Sequence, residues 1–138
     1  LVEAWTRLQK LWDDNAEAME RSSVETGALI AATGRSSCLI EPVFFWPGQH
    51  NPLHHEAIEK DHMAKLSPAP DNPEANALVI DLREKVIAIF HDLGAIHLQI
   101  ARSYPLKESH DKAGWDMLKA LKAQVDPQGF MNPGSLAL

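Results

Sequence analysis

Over residues 1 to about 20, Leu1, Trp5, Leu8, Trp12, Ala16 and Met19 recur at three- and four-residue intervals with charges between them. That spacing predicts an amphipathic helix with a large aromatic payload. Ser22-x-x-Glu25 then reads as a capping box opening a second, shorter helix through Thr33, closed by Gly34. Gly27 inside it is the weak point, and an irregular connection is the alternative. Cys38 to Trp46 is dense in β-branched and aromatic residues and predicts a strand. Pro42 removes a ladder donor there and marks an edge or a bulge. Glu41, the one charge of that run, either faces solvent or is a buried carboxylate with a partner.

From Pro47 to Pro73 the pattern dissolves. Five prolines (Pro47, Pro52, Pro68, Pro70, Pro73) and four histidines (His50, His54, His55, His62) leave only one or two helical turns around Ala57 to Lys60. Such an excursion is usually functional or mobile. Ala75 to Leu93 is the clearest helix: Leu78, Leu82, Val86, Ile89, Phe90 and Leu93 form its apolar stripe, and Gly94 sits where a helix-ending glycine belongs. Ala95 to Tyr104 alternates, with Ile96, Leu98 and Ile100 on one face and His97, Gln99 and Ala101 on the other, which predicts a half-buried strand. Ser109 is placed to cap a last helix, with Asp111 in its first turn, running to about Val125 through Trp115, Leu118 and Leu121.

The chain then ends in Asp126-Pro127-Gln128-Gly129-Phe130-Met131-Asn132-Pro133-Gly134 and four further residues. Pro127 stops the helix, and the two glycines permit a sharp return of the chain. Phe130 and Met131 are apolar in a segment that should be solvated, so this tail calls for a covering surface. The predicted order (helix, short helix, strand, loop, helix, strand, helix, tail) gives an α+β fold with helices over one sheet face. Two strands make too small a sheet to stand alone, so part of the fold is expected outside the chain.

Composition narrows the function. At 138 residues, 45% apolar and 23% charged, the sequence fits one ordinary globular domain, 1–138. It has no apolar run of about 18 residues that would span a bilayer. A net charge of −6 argues against nucleic acid or an anionic membrane as main partner. The lone Cys38 excludes an intramolecular disulfide and fits a reducing, cytoplasmic setting. Leu1 begins inside a helical pattern, with neither an initiator Met nor the features of a signal peptide, which suggests excision from a longer chain. Homo-oligomer formation is left open.

Candidate chemistry concentrates between His97 and Tyr104. His97, Gln99, Arg102 and Tyr104 supply imidazole, carboxamide, guanidinium and phenol, a set able to bind an anion and move a proton; an exposed strand face is the plainer alternative. His50 and His54 are spaced as a helical metal pair, yet Pro52 lies between them and no third ligand follows at a diagnostic spacing. No resident metal is expected, and no phosphate-cradling glycine loop or nucleophile elbow is found.

The run from Leu118 to Gly134, a helix entering Asp126-Pro127-x-Gly129-Phe130-Met131-Asn132-Pro133-Gly134, resembles the carboxy-terminal signature of FAD-linked oxidases of the vanillyl-alcohol oxidase type. That group includes D-lactate and glycolate dehydrogenases. The preceding helix, Gly94, and strand ending near Arg102 are similar to the family's cap domain. The resemblance is sharpest over residues 94 to 138 and extends back to Cys38. It implies a ferredoxin-like cap-domain half with few antiparallel strands covered by helices, whose tail returns toward an FAD-binding domain of the same protein that these residues do not contain. It further implies an FAD-dependent oxidoreductase acting on the CH–OH group of a small-molecule substrate, a 2-hydroxy acid or related alcohol. A para-hydroxylated aromatic alcohol is the alternative substrate, and a non-catalytic α+β ligand- or partner-binding module the alternative class. By that resemblance His97, Tyr104 and Arg102 are catalytic candidates, Gln99, Glu41 and Trp46 would line the substrate pocket, and Asn132 would lie near the isoalloxazine. Relatives carry Glu-His-Gly-x-Gly or His-His-Gly-x-Gly on that strand where this chain has His97-Leu98-Gln99-Ile100-Ala101, with both glycines replaced, and the paired histidines of metal-dependent relatives are absent around Glu41 to Pro47.

Overall fold

The computed structural model describes residues 1–67, 69–98 and 104–138. They form an α+β fold: helices α1 (Val2–Asp14) and α2 (Ala16–Arg21), strands β1 (Glu25–Thr33) and β2 (Ser37–Phe45), short helices α3 (Pro52–Ala57) and α4 (Lys60–Met63), and long helices α5 (Pro73–Asp92) and α6 (Lys112–Val125). The chain divides into two compact units, Leu1–Val86 and Ile87–Leu138.

In the first unit the amphipathic start is two helices rather than one. Asn15 breaks it, its side-chain amide donating to the Leu11 carbonyl at 2.7 Å and so competing with the backbone ladder. The capping box expected at Ser22-x-x-Glu25 is instead a helix stop. Ser23 N–H donates to Glu20 and Val24 N–H to Met19, with Ser23 at φ 55, a Schellman closure of α2. Residues expected in a short helix therefore form β1, which pairs antiparallel with β2 without a bulge from Glu25↔Phe45 to Thr33↔Ser37. Gly27 is tolerated in that strand because the Phe45 ring on the facing strand lies over it; a Cβ there would sit 3.5 Å from Cε2.

Among the described residues both strands are edges, and they differ. β1 has no charge and no proline from Thr26 to Thr33, whereas the free edge of β2 carries Glu41 and Pro42. Leu29, Ile30 and Phe45 stand exposed on this hairpin. The core lies at its open end, where Phe44, Leu11, Trp12 and Leu78 pack against buried Met19, Val24, Ala75, Val79 and Leu82. The buried stripe of α5 is Ala75, Val79, Leu82 and Val86, with Leu78 at its margin.

Helix α5 begins on Asn72. Its side-chain oxygen accepts from Ala75 N–H at 3.0 Å while its side-chain nitrogen donates to the Ser22 carbonyl at 3.2 Å, and Pro73 takes the first helical position. One side chain thus caps α5 and ties it to the turn after α2. The Arg21–Glu74 ion pair, 2.9 Å apart, spans the same junction at the surface.

In the second unit α5 ends as the sequence predicts. Gly94, at φ 69, donates to His91 and Ala95 donates to Phe90, a second Schellman closure. The strand expected over Ala95–Tyr104 is not found in its described part: Ala95 to Leu98 pair with no strand, and Ile96 and Leu98, expected on a core face, are exposed. The rest of that stretch, with Gln99, Ile100, Ala101 and Arg102, lies outside the described residues. The cap of α6 is Asp111, whose carboxylate accepts from Gly114 N–H at 2.7 Å; Ser109, expected in that role, donates instead to the Leu106 carbonyl. Trp115 is the buried residue of α6, while Met117, Leu121 and Val125 form an exposed stripe along it.

Candidate functional site

The short segment between α5 and α6 brings two candidates together. The rings of His97 and Tyr104, seven positions apart, stack with centroids 4.4 Å apart and planes inclined at 20°. Both side chains are half-buried, so the pair keeps an open face. An imidazole held flat against a phenol offers two groups able to carry a proton within one side-chain radius. The alternation rule put Tyr104 at the end of the same strand as His97, and it gave no sign that the rings would meet.

Arg102 and Gln99 lie outside the described residues. Glu41 and Trp46 belong to the first unit. Glu41 is exposed on β2 opposite Leu29, which decides the open alternative in favour of solvent. Trp46 is fixed rather than free: its indole N–H donates to the Asn76 side chain at 2.7 Å, pinning the residue after β2 to the first turn of α5. His50, His54 and His55 gather at α3, with the His50 ring 5.7 Å from that of His54 and 6.1 Å from that of His55. His54 Nδ1 accepts from Asn51 N–H and closes the α3 capping box. No group of three or more acidic, cysteine or histidine side chains suited to a metal ion is found among the described residues.

The tail is tied to the end of α6 by side-chain hydrogen bonds. The Asp126 carboxylate is buried and accepts from Phe130 N–H and Met131 N–H, each at 2.9 Å, and from the Lys122 ammonium. Lys122 also reaches the Met131 carbonyl, and Gly129, at φ 67, donates to the Asp126 carbonyl at 3.0 Å. The Lys122 hydrogen bond, with the two amides and the Lys122 charge behind it, holds the Asp126 carboxyl below its ordinary value against the opposing effect of burial. This closed turn sends Phe130 and Met131 outward, 79% and 61% exposed, and delivers Asn132 in the left-handed region at φ 48. Sequence reading placed the helix stop at Pro127 and missed the pairing of Asp126 with Lys122. The signal was the four-residue spacing of the two charges on α6.

Residues 91–136 match the family model for FAD linked oxidases, C-terminal domain. The matched segment holds the His97–Tyr104 stack, α6 and the Asp126 turn, and it supports a C-terminal domain of an FAD-linked oxidase, an oxidoreductase class that uses FAD. No curated protein and no solved structure matches the chain. Among the described residues no helix is long and apolar enough to cross a membrane.

Proposed function

We propose that this chain is the substrate-facing C-terminal part of an FAD-dependent oxidoreductase that oxidises a 2-hydroxy acid or a related small alcohol, with the FAD held by another domain of the same protein. The observation that carries this reading is the match over residues 91–136, ending in the Asp126-to-Gly134 turn. The flavin supplies the acceptor for the hydride. The chain's own residues supply position and proton handling.

The tail fits a flavin ring better than a pyrophosphate. Asn132 offers an exposed carboxamide, both donor and acceptor, beside exposed Met131, and no glycine-rich phosphate loop is present. Asn132 would therefore meet the polar edge of the isoalloxazine. Arg102 would hold the substrate carboxylate through its two-pronged guanidinium. His97 or Tyr104 would take the hydroxyl proton; their stacking supports a shared role, since each ring fixes the plane of the other. Gln99 would line the substrate pocket, and Glu41 and Trp46, in the first unit, are kept as substrate-binding candidates.

The test is to produce this chain joined to its upstream coding sequence, record the visible spectrum, and assay D-lactate, glycolate and a para-hydroxybenzyl alcohol. A yellow protein turning over one of the hydroxy acids is expected, with Arg102→Met raising KM for it. A full-length protein that holds no flavin overturns the reading. Turnover of the aromatic alcohol alone would move the substrate class.

A further inference from the structure

An acidic residue at the C-terminal end of a helix is placed against the helix dipole, which favours cations there. Asp126 occupies that position on α6 and is buried besides, two penalties that a solvated Asn or Gly would avoid. Its surroundings explain the choice. Both carboxylate oxygens are engaged: Oδ1 accepts from Phe130 N–H, and Oδ2 from Met131 N–H and Lys122. These backbone amides would otherwise have no ladder partner, since the chain has left the helix. Lys122 closes the ring by donating to the Met131 carbonyl as well.

We propose that Asp126 and Lys122 form a latch that sets the path of the chain from Pro127 to Asn132 before any partner surface is met. They are positioning residues. Without them Phe130, Met131 and Asn132 would sample many backbone states, and a left-handed Asn132 would be a minor one. With them the tail presents two apolar side chains and a carboxamide in one arrangement, so that docking need not order the loop. That Asn132 then reaches a flavin rests on the functional reading above; the latch itself does not.

The experiment is amide hydrogen exchange, read residue by residue by NMR on the 138-residue chain without flavin. In the native sequence the Phe130 and Met131 amides are expected to be protected by their bonds to Asp126. Asp126→Ala is expected to speed their exchange about tenfold or more while amides in the middle of α6 stay unchanged. Lys122→Met gives a smaller loss, and Lys122→Arg, which keeps the charge, restores protection. Should Asp126→Ala unfold α6, Lys122→Met carries the test, because it leaves the helix ladder intact. Unchanged exchange at Phe130 and Met131 in both variants overturns the proposal. Since no flavin is present, this result is independent of whether the full-length protein proves to be a flavoenzyme.

Discussion

Asn72 holds two elements with one carboxamide, and a substitution series can weigh its two bonds separately. Asn72→Ala removes the cap of α5, worth about 1 kcal/mol. It also strips the Ser22 carbonyl of its side-chain partner at a residue only 4% exposed, adding about 1–3 kcal/mol. The expected total is about 2–4 kcal/mol, a large part of a domain stability of about 5–15 kcal/mol. Asn72→Asp keeps an acceptor for Ala75 N–H and places a negative charge at a helix N-terminus, where it is favoured by about 0.3–1 kcal/mol. It cannot donate to Ser22. Its cost should therefore fall clearly below that of the alanine variant without vanishing. Urea unfolding followed by circular dichroism measures both, provided the slope of the transition is unchanged. An alanine variant within about 0.5 kcal/mol of the native chain would refute the double role. Equal losses for Ala and Asp would show that repulsion between the new carboxylate and the Ser22 carbonyl offsets the retained cap.

Two further outcomes are expected. Because the Asp126 carboxyl lies below its ordinary value of about 3.9, its stabilisation of the tail is fully present above that pH and drains away as pH falls through the lowered folded value. Tail amide protection should hold from pH 7 to about 4 and collapse only in stronger acid, in an acid titration that Asp126→Asn abolishes. The Ser22 hydroxyl is buried with no hydrogen-bond partner among the described residues, so Ser22→Ala should leave the unfolding midpoint unchanged or raise it. A loss above about 1 kcal/mol would mean that the hydroxyl has a partner after all.

Helix α5 and strand β2 were legible in the sequence, and the segment from Ser22 to Thr33 was not, for a physical reason. The extent of α5 and its Gly94 ending are set by local spacing repeated over five turns, whereas its buried stripe keeps only Leu82 and Val86 of the expected one and adds Ala75 and Val79. Ser22 to Thr33 offers one capping-box match, and that weak local cue lost to nine pairings with β2, the next strand of the same hairpin. The same holds at α6, where Ser109 and Asp111 are both plausible caps and only the geometry of the Leu106 carbonyl decides between them. At the candidate site, the sequence supplied the residue types and their order. The meeting of His97 with Tyr104 joins two rings seven positions apart, and the engagement of Asp126 depends on amides four and five residues downstream. Neither has a periodicity to betray it.

The unguarded edge of β1 has a practical consequence. Among the described residues, the eight uncharged positions from Thr26 to Thr33 pair with β2 alone and leave one edge of backbone donors and acceptors open beside exposed Leu29 and Ile30. Such a strand is a template for any other extended segment, including its own copy, and the charge and proline that blunt β2 do nothing for it. Concentration, more than temperature, would then limit how long a preparation of the isolated chain stays clear. A single lysine at Ala28 or Ala32, both exposed, is the change that would extend it.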